Sequence, residues 1–357
     1  LADNIINAKN QFRGRKLLIA PLDWGIGHAS RCIPLIRSLL ILENEVFVAG
    51  SGNSLQLLQK LFPDLKFFPI PGYEIHYGRG RRRTLLNICL QLPKILIRIN
   101  QENRWLKKLI RDEKIEALIS DNRFGLYSKS IPCVFITHQL AIQSGLGKLA
   151  DRFVQRINYR FINRFSQVWV PDQTLGPDLG GALSHPNRFP KIPVHYIGWL
   201  SRFKKEKTSN AGKILILLSG PEPQRSLLEN IILSEAGRFP QRLILVRGLP
   251  GRSEEIPAVA GLQIHDHLAP DRLNELIAVA ELVICRPGYS TLMDLAVIGK
   301  SGLVVVPTPG QQEQEYLADY LSARGILIKI EQSEFTLAGA LDRAGKFSFN
   351  PFPEMVL

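Results

Sequence analysis

A histidine follows two glycines in the loop PLDWGIGHASR near the start of the chain. Gly25 and Gly27 permit a tight turn and close approach of backbone to a ligand. His28 falls at an expected helix start, where the dipole disfavours imidazolium and keeps the ring neutral. A neutral imidazole beside an acceptor hydroxyl can act as a general base. The competing reading is a histidine that only caps the helix. Two later strand ends offer partners. LISDNRFG places Asp121, Asn122 and Arg123 past a strand, and FITHQL places His138 past the next. Asp121 could orient His28, as a carboxylate behind an imidazole does elsewhere, or it could bind an acceptor. Asn122, Arg123 and His138 are further acceptor-side candidates. An Asp–Asn pair at a strand end equally suits a plain turn.

A second set of loops suits a phosphorylated ligand. LSGPEPQRS puts Ser219 and Gly220 between a strand and a helix, a geometry for phosphate on free backbone N–H groups. Pro221 and Pro223 remove two donors, and Arg225 could replace them with a charged fork. In VICRPGYSTLMDLA, Gly288 breaks the chain before Tyr289, Ser290 and Thr291 at a helix start. Hydroxyls and free N–H groups there make an anion site. Asp294 follows Gly288 by six residues and can accept two hydrogen bonds from a ribose diol. After the next strand, Gln311, Gln312 and Gln314 offer amides that both donate and accept, which suits sugar hydroxyls. An ordinary βα turn and a solvated glutamine loop are the plain alternatives.

The stretch from Ile284 to Ala318 resembles the C-terminal nucleotide-sugar site of glycosyltransferase family 28 and of the related UDP-glycosyltransferases. The nearest types are the peptidoglycan N-acetylglucosaminyltransferase and the diacylglycerol galactosyltransferases. The resemblance implies phosphate at Gly288, ribose at Asp294 and donor sugar at Gln311 and Gln312. It also implies that His28 stands where the family's proposed base stands. IHDHLAP is similar to the segment whose backbone pairs with uracil, so His267 and Leu268 become base-contact candidates. The chain departs from the family pattern in three places. Asp23 and Trp24 interrupt the first glycine loop, SGPEPQR is a reduced second loop, and Asp294 is one methylene shorter than the usual glutamate.

These loops need rigid elements behind them. Short β-branched runs alternate with amphipathic segments, the mark of α/β layering. Strands are expected at Lys16–Pro21, Glu45–Ala49, Lys66–Phe68, Ala117–Ser120, Cys133–Ile136 and Val168–Val170, with helices between. A charged segment without apolar period, SRFKKEKTSNAG at 201–212, reads as a linker. The pattern then restarts, with strands at Lys213–Leu218, Arg242–Val246, Leu262–His265, Glu281–Cys285 and Leu303–Val306. We expect an α/β chain of two doubly wound, Rossmann-like domains facing a cleft, the GT-B arrangement. Residues 1–200 would bind acceptor and residues 213–357 the nucleotide-sugar. Ligands in such folds sit at the carboxyl ends of the strands.

The 357 residues suffice for two domains, and 45% are hydrophobic. No run of about 18 apolar residues suggests a membrane span, and the first residues lack the apolar stretch of a signal peptide. Four scattered cysteines fit neither a disulfide framework nor a zinc site, so a cytoplasmic location is expected. No carboxylate cluster has metal-ligand spacing, and we expect neither metal nor cofactor. The net charge of +13 invites an anionic partner. Arg79 to Arg111 is dense in cations beside Leu85, Ile88, Leu92, Leu96 and Ile99. Lys148, Arg152, Arg156, Arg160 and Arg164 run at helical spacing beside Leu149, Phe153, Ile157 and Phe161. Such helices suit an anionic membrane or a lipid-linked acceptor; a solvated face over a core is the alternative, above all for the second helix. Without a nucleic-acid motif, the charge does not indicate nucleic acid. The expected reaction is inverting transfer of a hexose or N-acetylhexosamine from a UDP-sugar to a hydroxyl. The alternative is a UDP-sugar hydrolase of sialic-acid-like pathways, which shares the run of Gly27, His28, Arg31 and Cys32.

Overall fold

The computed structural model describes residues 11–23, 25–73, 81–143, 145, 147–174, 178–206, 212–239, 242–249 and 258–354. Trp24, Arg79 and residues 207–211 of the expected linker lie outside these, as do the side chains of 81–90 and Leu92. The chain forms two compact units: among the described residues, those up to 73 and from Ile88 to Ser201 form the first, and 81–87 with Arg202–Glu354 form the second.

The first unit carries seven parallel strands: β1 (Lys16–Pro21), β2 (Glu45–Gly50), β3 (Lys66–Pro69), β4 (Ala117–Asp121), β5 (Cys133–Ile136), β6 (Gln167–Val170) and β7 (Val194–Tyr196). Their spatial order is β3-β2-β1-β4-β5-β6-β7. Strands covered on both faces read as continuous apolar runs rather than alternating ones. β1 follows this rule: Leu17, Leu18, Ile19 and Ala20 are all fully buried. Helices α1 (Ile26–Ile41), α2 (Gly52–Leu61), α3 (Arg81–Glu113) and α4 (Lys148–Ile162) connect the strands. α1 buries Ala29, Cys32, Ile33 and Ile36, one face at helical spacing.

The second unit repeats the plan with six parallel strands. They are β8 (Lys213–Leu217), β9 (Leu243–Val246), β10 (Leu262–His265), β11 (Ala280–Cys285), β12 (Leu303–Val305) and β13 (Ile328–Lys329), ordered β10-β9-β8-β11-β12-β13. Its helices are α5 (Gln224–Ala236), α6 (Pro270–Val279), α7 (Tyr289–Ile298), α8 (Gln312–Ser322) and α9 (Leu337–Gly345). Ile216, Leu245, Ile284, Val304 and Leu337 share its core. Two doubly wound parallel sheets are what the alternating pattern predicts.

Each sheet reverses its winding direction once. The reversal falls between β1 and β4 in the first unit and between β8 and β11 in the second. Loops leaving two such strands diverge to opposite faces, which opens a crevice at their carboxyl ends. The loops singled out by chemistry occupy these places: 22–25 and 122–124 in the first unit, 218–223 and 286–288 in the second. Among the described residues no helix is long and apolar enough to cross a membrane.

The charged segment after Ser201 begins as part of the second unit. Phe203 is buried, the Lys204 N–H donates to Asn274 Oδ1, and the Asn274 amide donates to Glu206 Oε1 at 2.5 Å. Cys32, Cys133 and Cys285 are free and buried.

Candidate active site

At the first switch point, β1 ends in Pro21 and the chain turns through Gly25, whose φ of 85° favours glycine. α1 starts at Ile26, so His28 lies in its first turn. β4 runs parallel beside β1 with Asp121 opposite Pro21. That register sets the Asp121 carboxylate beside the imidazole. His28 Nδ1 and Asp121 Oδ1 are 3.2 Å apart. Asp121 is fully buried, while the His28 side chain keeps 15% exposure. Burial comes first in lowering the His28 pKa, and the neighbouring Arg31 adds to it, against the raising effect of Asp121. The ring is therefore neutral over the ordinary working range. Burial alone would raise the Asp121 pKa, but Arg31 and then His28 outweigh it and hold the carboxyl well below its usual range.

Arg31 completes the cluster. Its Nε donates to Asp121 Oδ2 at 2.8 Å, and its Nη2 donates to Asp121 Oδ1. Nη2 also lies 2.9 Å from His28 Nδ1, and Nη1 lies 3.3 Å from His138 Nδ1. His138 is thus brought to the same cluster, although it is buried and meets Arg31 rather than open space. Asn122 follows Asp121 with a left-handed φ of 61°, a conformation that asparagine tolerates.

Arg123 does not take the acceptor-side place expected of it. Its side chain is fully buried, pairs with Glu102 at 2.6 Å and donates to the Pro21 carbonyl. A basic side chain with a buried acid in reach is drawn inward, so Arg123 braces the loop after β1.

In the second unit, α7 starts at Tyr289 with Gly288 as its N-cap, and neither a side-chain cap nor an acid occupies the first turn. Ser290, Thr291 and Asp294 are partly exposed, whereas Tyr289 is 2% exposed and belongs to the core, not to a ligand surface. Ser219 and Gly220 are exposed at the end of β8. Gly220 has a φ of 99°, and a Cβ there would stand 3.4 Å from Thr308 Oγ1. The β8–α5 and β12–α8 loops thus lie against each other. His267 and Leu268 are partly exposed on the segment after β10.

Arg225 does not present the free fork expected of it. Its Nε donates to Glu222 at 2.7 Å and its Nη1 to Glu229 at 3.2 Å. The acids stand three residues before and four after it, positions that face it on a helix. Gln314 is also taken up, its Oε1 accepting from the Thr308 N–H at 2.8 Å. Gln312 donates to Glu315, and Gln311 and Gln312 remain partly exposed.

Sequence reading missed Arg202. Its Nε and Nη1 are buried without a hydrogen-bond partner, and it stacks 4.8 Å from the Phe203 ring. Burial lowers its pKa and nearby Asp294 raises it. Two buried N–H groups of a guanidinium without acceptors are unfavourable unless a ligand supplies them. Thr308 Oγ1, beside Gly220, is a second buried polar atom without a partner. The signal for Arg202 was present, an arginine next to the one aromatic of the 201–212 segment.

Asp172, Asp178 and His185 are the one group among the described residues with ligand atoms spaced to hold a metal. The Asp172 carboxylate already accepts from Gln173 N, Leu179 N, Gly180 N, Ser184 Oγ and Trp199 Nε1. Those bonds pin the loop between β6 and β7.

Residues 259–352 match the glycosyltransferase family 28 C-terminal domain. Over 337 residues the chain is 24% identical to a Haemophilus influenzae protein, covering 90% of this chain and 87% of that one. That relative is the UDP-N-acetylglucosamine--N-acetylmuramyl-(pentapeptide) pyrophosphoryl-undecaprenol N-acetylglucosamine transferase. The calicheamicin glycosyltransferase CalG4 shares the fold with a TM-score of 0.63 at 12% identity, over 94% of this chain and 91% of that one. Acinetobacter baumannii MurG shares it with a TM-score of 0.53 at 17% identity, over 92% and 89%. The fold is that of GT-B glycosyltransferases, and the matched domain and relatives support a glycosyltransferase.

Proposed function

We propose that this glycosyltransferase moves a hexose or N-acetylhexosamine from a UDP-sugar to a hydroxyl acceptor, with inversion at the anomeric carbon. The observation that carries the reading is His28 held 3.2 Å from a buried, ionised Asp121 at a switch point. His28 takes the proton of the acceptor hydroxyl as its oxygen attacks the anomeric carbon. The bond from that carbon to the diphosphate breaks on the opposite side, and UDP leaves with the electron pair. The imidazolium formed is stabilised by Asp121.

Charge on the leaving diphosphate falls to the second unit. The N–H groups at the start of α7 and the exposed Ser219–Gly220 turn receive it. Arg202 supplies the cation that Arg225, tied to two acids, does not. Asp294 takes the ribose diol, and Gln311 and Gln312 the sugar hydroxyls. These donors can act without a metal ion, so turnover is expected to persist in excess EDTA. Complete loss restored by magnesium or manganese would move the charge stabilisation to a metal.

The relative named for transfer to pyrophosphoryl-undecaprenol supports a lipid-linked acceptor. α4 supports a membrane surface as its setting. Leu149, Phe153 and Ile157 are 80%, 65% and 42% exposed at i, i+4, i+8 spacing, with Lys148, Arg152, Arg156 and Arg160 exposed along the next row. Arg164 instead packs on Tyr127 and Phe161. The second basic helix therefore carries an exposed apolar stripe, where a solvated face over a core was an at least equal alternative. An apolar row flanked by cations suits an anionic bilayer. Phe153→Glu is expected to reduce sedimentation with phosphatidylglycerol vesicles while leaving UDP affinity unchanged. Equal sedimentation of variant and wild type would take α4 out of the contact.

A further inference from the structure

Arg31 poses a protonation problem that the base assignment does not resolve by itself. His28 Nδ1 faces two groups of opposite demand. Asp121 Oδ1, at 3.2 Å, can only accept, and Arg31 Nη2, at 2.9 Å, can only donate. One nitrogen cannot serve both. If Nδ1 carries the proton, it donates to Asp121 and Nε2 keeps a lone pair for the acceptor hydroxyl. If Nδ1 accepts from Arg31, the proton of the neutral ring sits on Nε2, and that nitrogen has no lone pair left to take the hydroxyl's proton.

The geometry points to Arg31 as a positioning residue that holds resting His28 as the Nε2–H tautomer. This inference rests on the assignment of His28 as base. Three features carry it. The Arg31 contact is the shorter of the two. Asp121 already receives both Nε and Nη2 of Arg31, and Cys32 Sγ lies 3.7 Å from its Oδ2. Its need for a proton from His28 is thereby reduced. Arg31 is 2% exposed, so in the resting site its fork stays beside Nδ1 rather than in solvent. The charged and titratable groups acting on the imidazole are Arg31 on α1, Asp121 on β4 and His138 after β5. Only Arg31 donates to Nδ1.

Base competence then requires an exchange. One proton leaves Nε2 for solvent, one arrives on Nδ1, and Nδ1 turns its bond from Arg31 to Asp121. No net charge moves. While the exchange has not occurred, a water molecule beside Nε2 meets a donor rather than a base. In that resting tautomer His28 is a poor base toward water, and the sugar-nucleotide is protected from hydrolysis.

The test uses the full chain with ¹⁵N-labelled histidine, His28 being assigned by the signal lost in His28→Gln. Wild type without ligands is expected to show protonated Nε2 and bare Nδ1. In Arg31→Met, which offers Nδ1 no donor, the signals should invert toward protonated Nδ1. UDP-sugar hydrolysis without acceptor should rise about tenfold or more, the population weight of one charge-assisted hydrogen bond. Protonated Nδ1 in the wild type would overturn the inference, and it is read whether or not Arg31→Met folds. An unchanged tautomer in a folded Arg31→Met would overturn it too. The tautomer is measured independently of turnover, so these outcomes stay separate from a failure of His28 as base, which His28→Ala reports.

Discussion

His28→Ala is expected to lower turnover by about 10²–10⁴-fold, the usual span for loss of a general base. UDP affinity should stay near that of the wild type, because the ribose and diphosphate contacts are assigned to the second unit. The pH profile supplies an independent check. Burial and then Arg31 lower the His28 pKa below the ordinary imidazole value. A base acts when unprotonated, so activity is present above that lowered pKa and is lost as pH falls through it. The acidic limb of the wild type should thus lie below the ordinary imidazole value, and His28→Ala should lack it. The competing role, a helix cap, would cost about 1 kcal/mol of stability and little turnover. Melting temperature, UDP affinity and turnover measured together separate the two, and a folded variant with near-normal turnover ends the base assignment.

The second large effect is expected at Asp294. Loss of a hydrogen bond to a charged group costs about 1.5–3 kcal/mol, or about 10–150-fold in affinity. Asp294→Ala should weaken UDP by at least that range, since a diol offers two such bonds. Arg202→Met provides a companion with effects of opposite sign. The free guanidinium is buried with Nε and Nη1 unpartnered, so an apolar replacement of similar length should leave the melting temperature of the free protein unchanged or raised. The same change should lower UDP affinity, because the diphosphate loses a cation. Calorimetric titration of UDP into both variants checks this. Undiminished affinity in Asp294→Ala removes that carboxylate from the ribose, and undiminished affinity in Arg202→Met removes that cation from the diphosphate.

The two sheets were legible because their central strands are short runs of Leu, Ile and Val, such as LLIA in β1 and LVIC in β11. Elements that escaped were those without such a run. β7 is three residues, VHY, and β13 is two, IK. α9 contains Gly339 and ends in Gly345, which lowers helix propensity, and it is secured by Thr336 Oγ1 accepting from the Gly339 N–H. Loop chemistry was legible where it depended on local position, as with His28 at a helix start and Asp121 at a strand end. It failed where a side chain chose between ligand and protein. Arg225 could have been read correctly, since Glu222 and Glu229 stand at helical spacing on either side of it. Arg123 could not, because Glu102 comes from α3. Nor could the Arg31–Asp121 pair, whose members are 90 residues apart and meet only because β1 lies beside β4.

The central claim is transfer from a UDP-sugar to a hydroxyl, and one measurement tests it most directly. The full chain is incubated with a panel of UDP-sugars, with and without vesicles carrying diacylglycerol or a polyprenyl-pyrophosphate-linked sugar. UDP release and the anomeric configuration of the product are followed by NMR. The account predicts UDP release from at least one donor that depends on acceptor, with an α-linked donor giving a β-linked glycoside. Free sugar released in step with UDP and indifferent to acceptor, or a product that retains the donor's configuration, would contradict it.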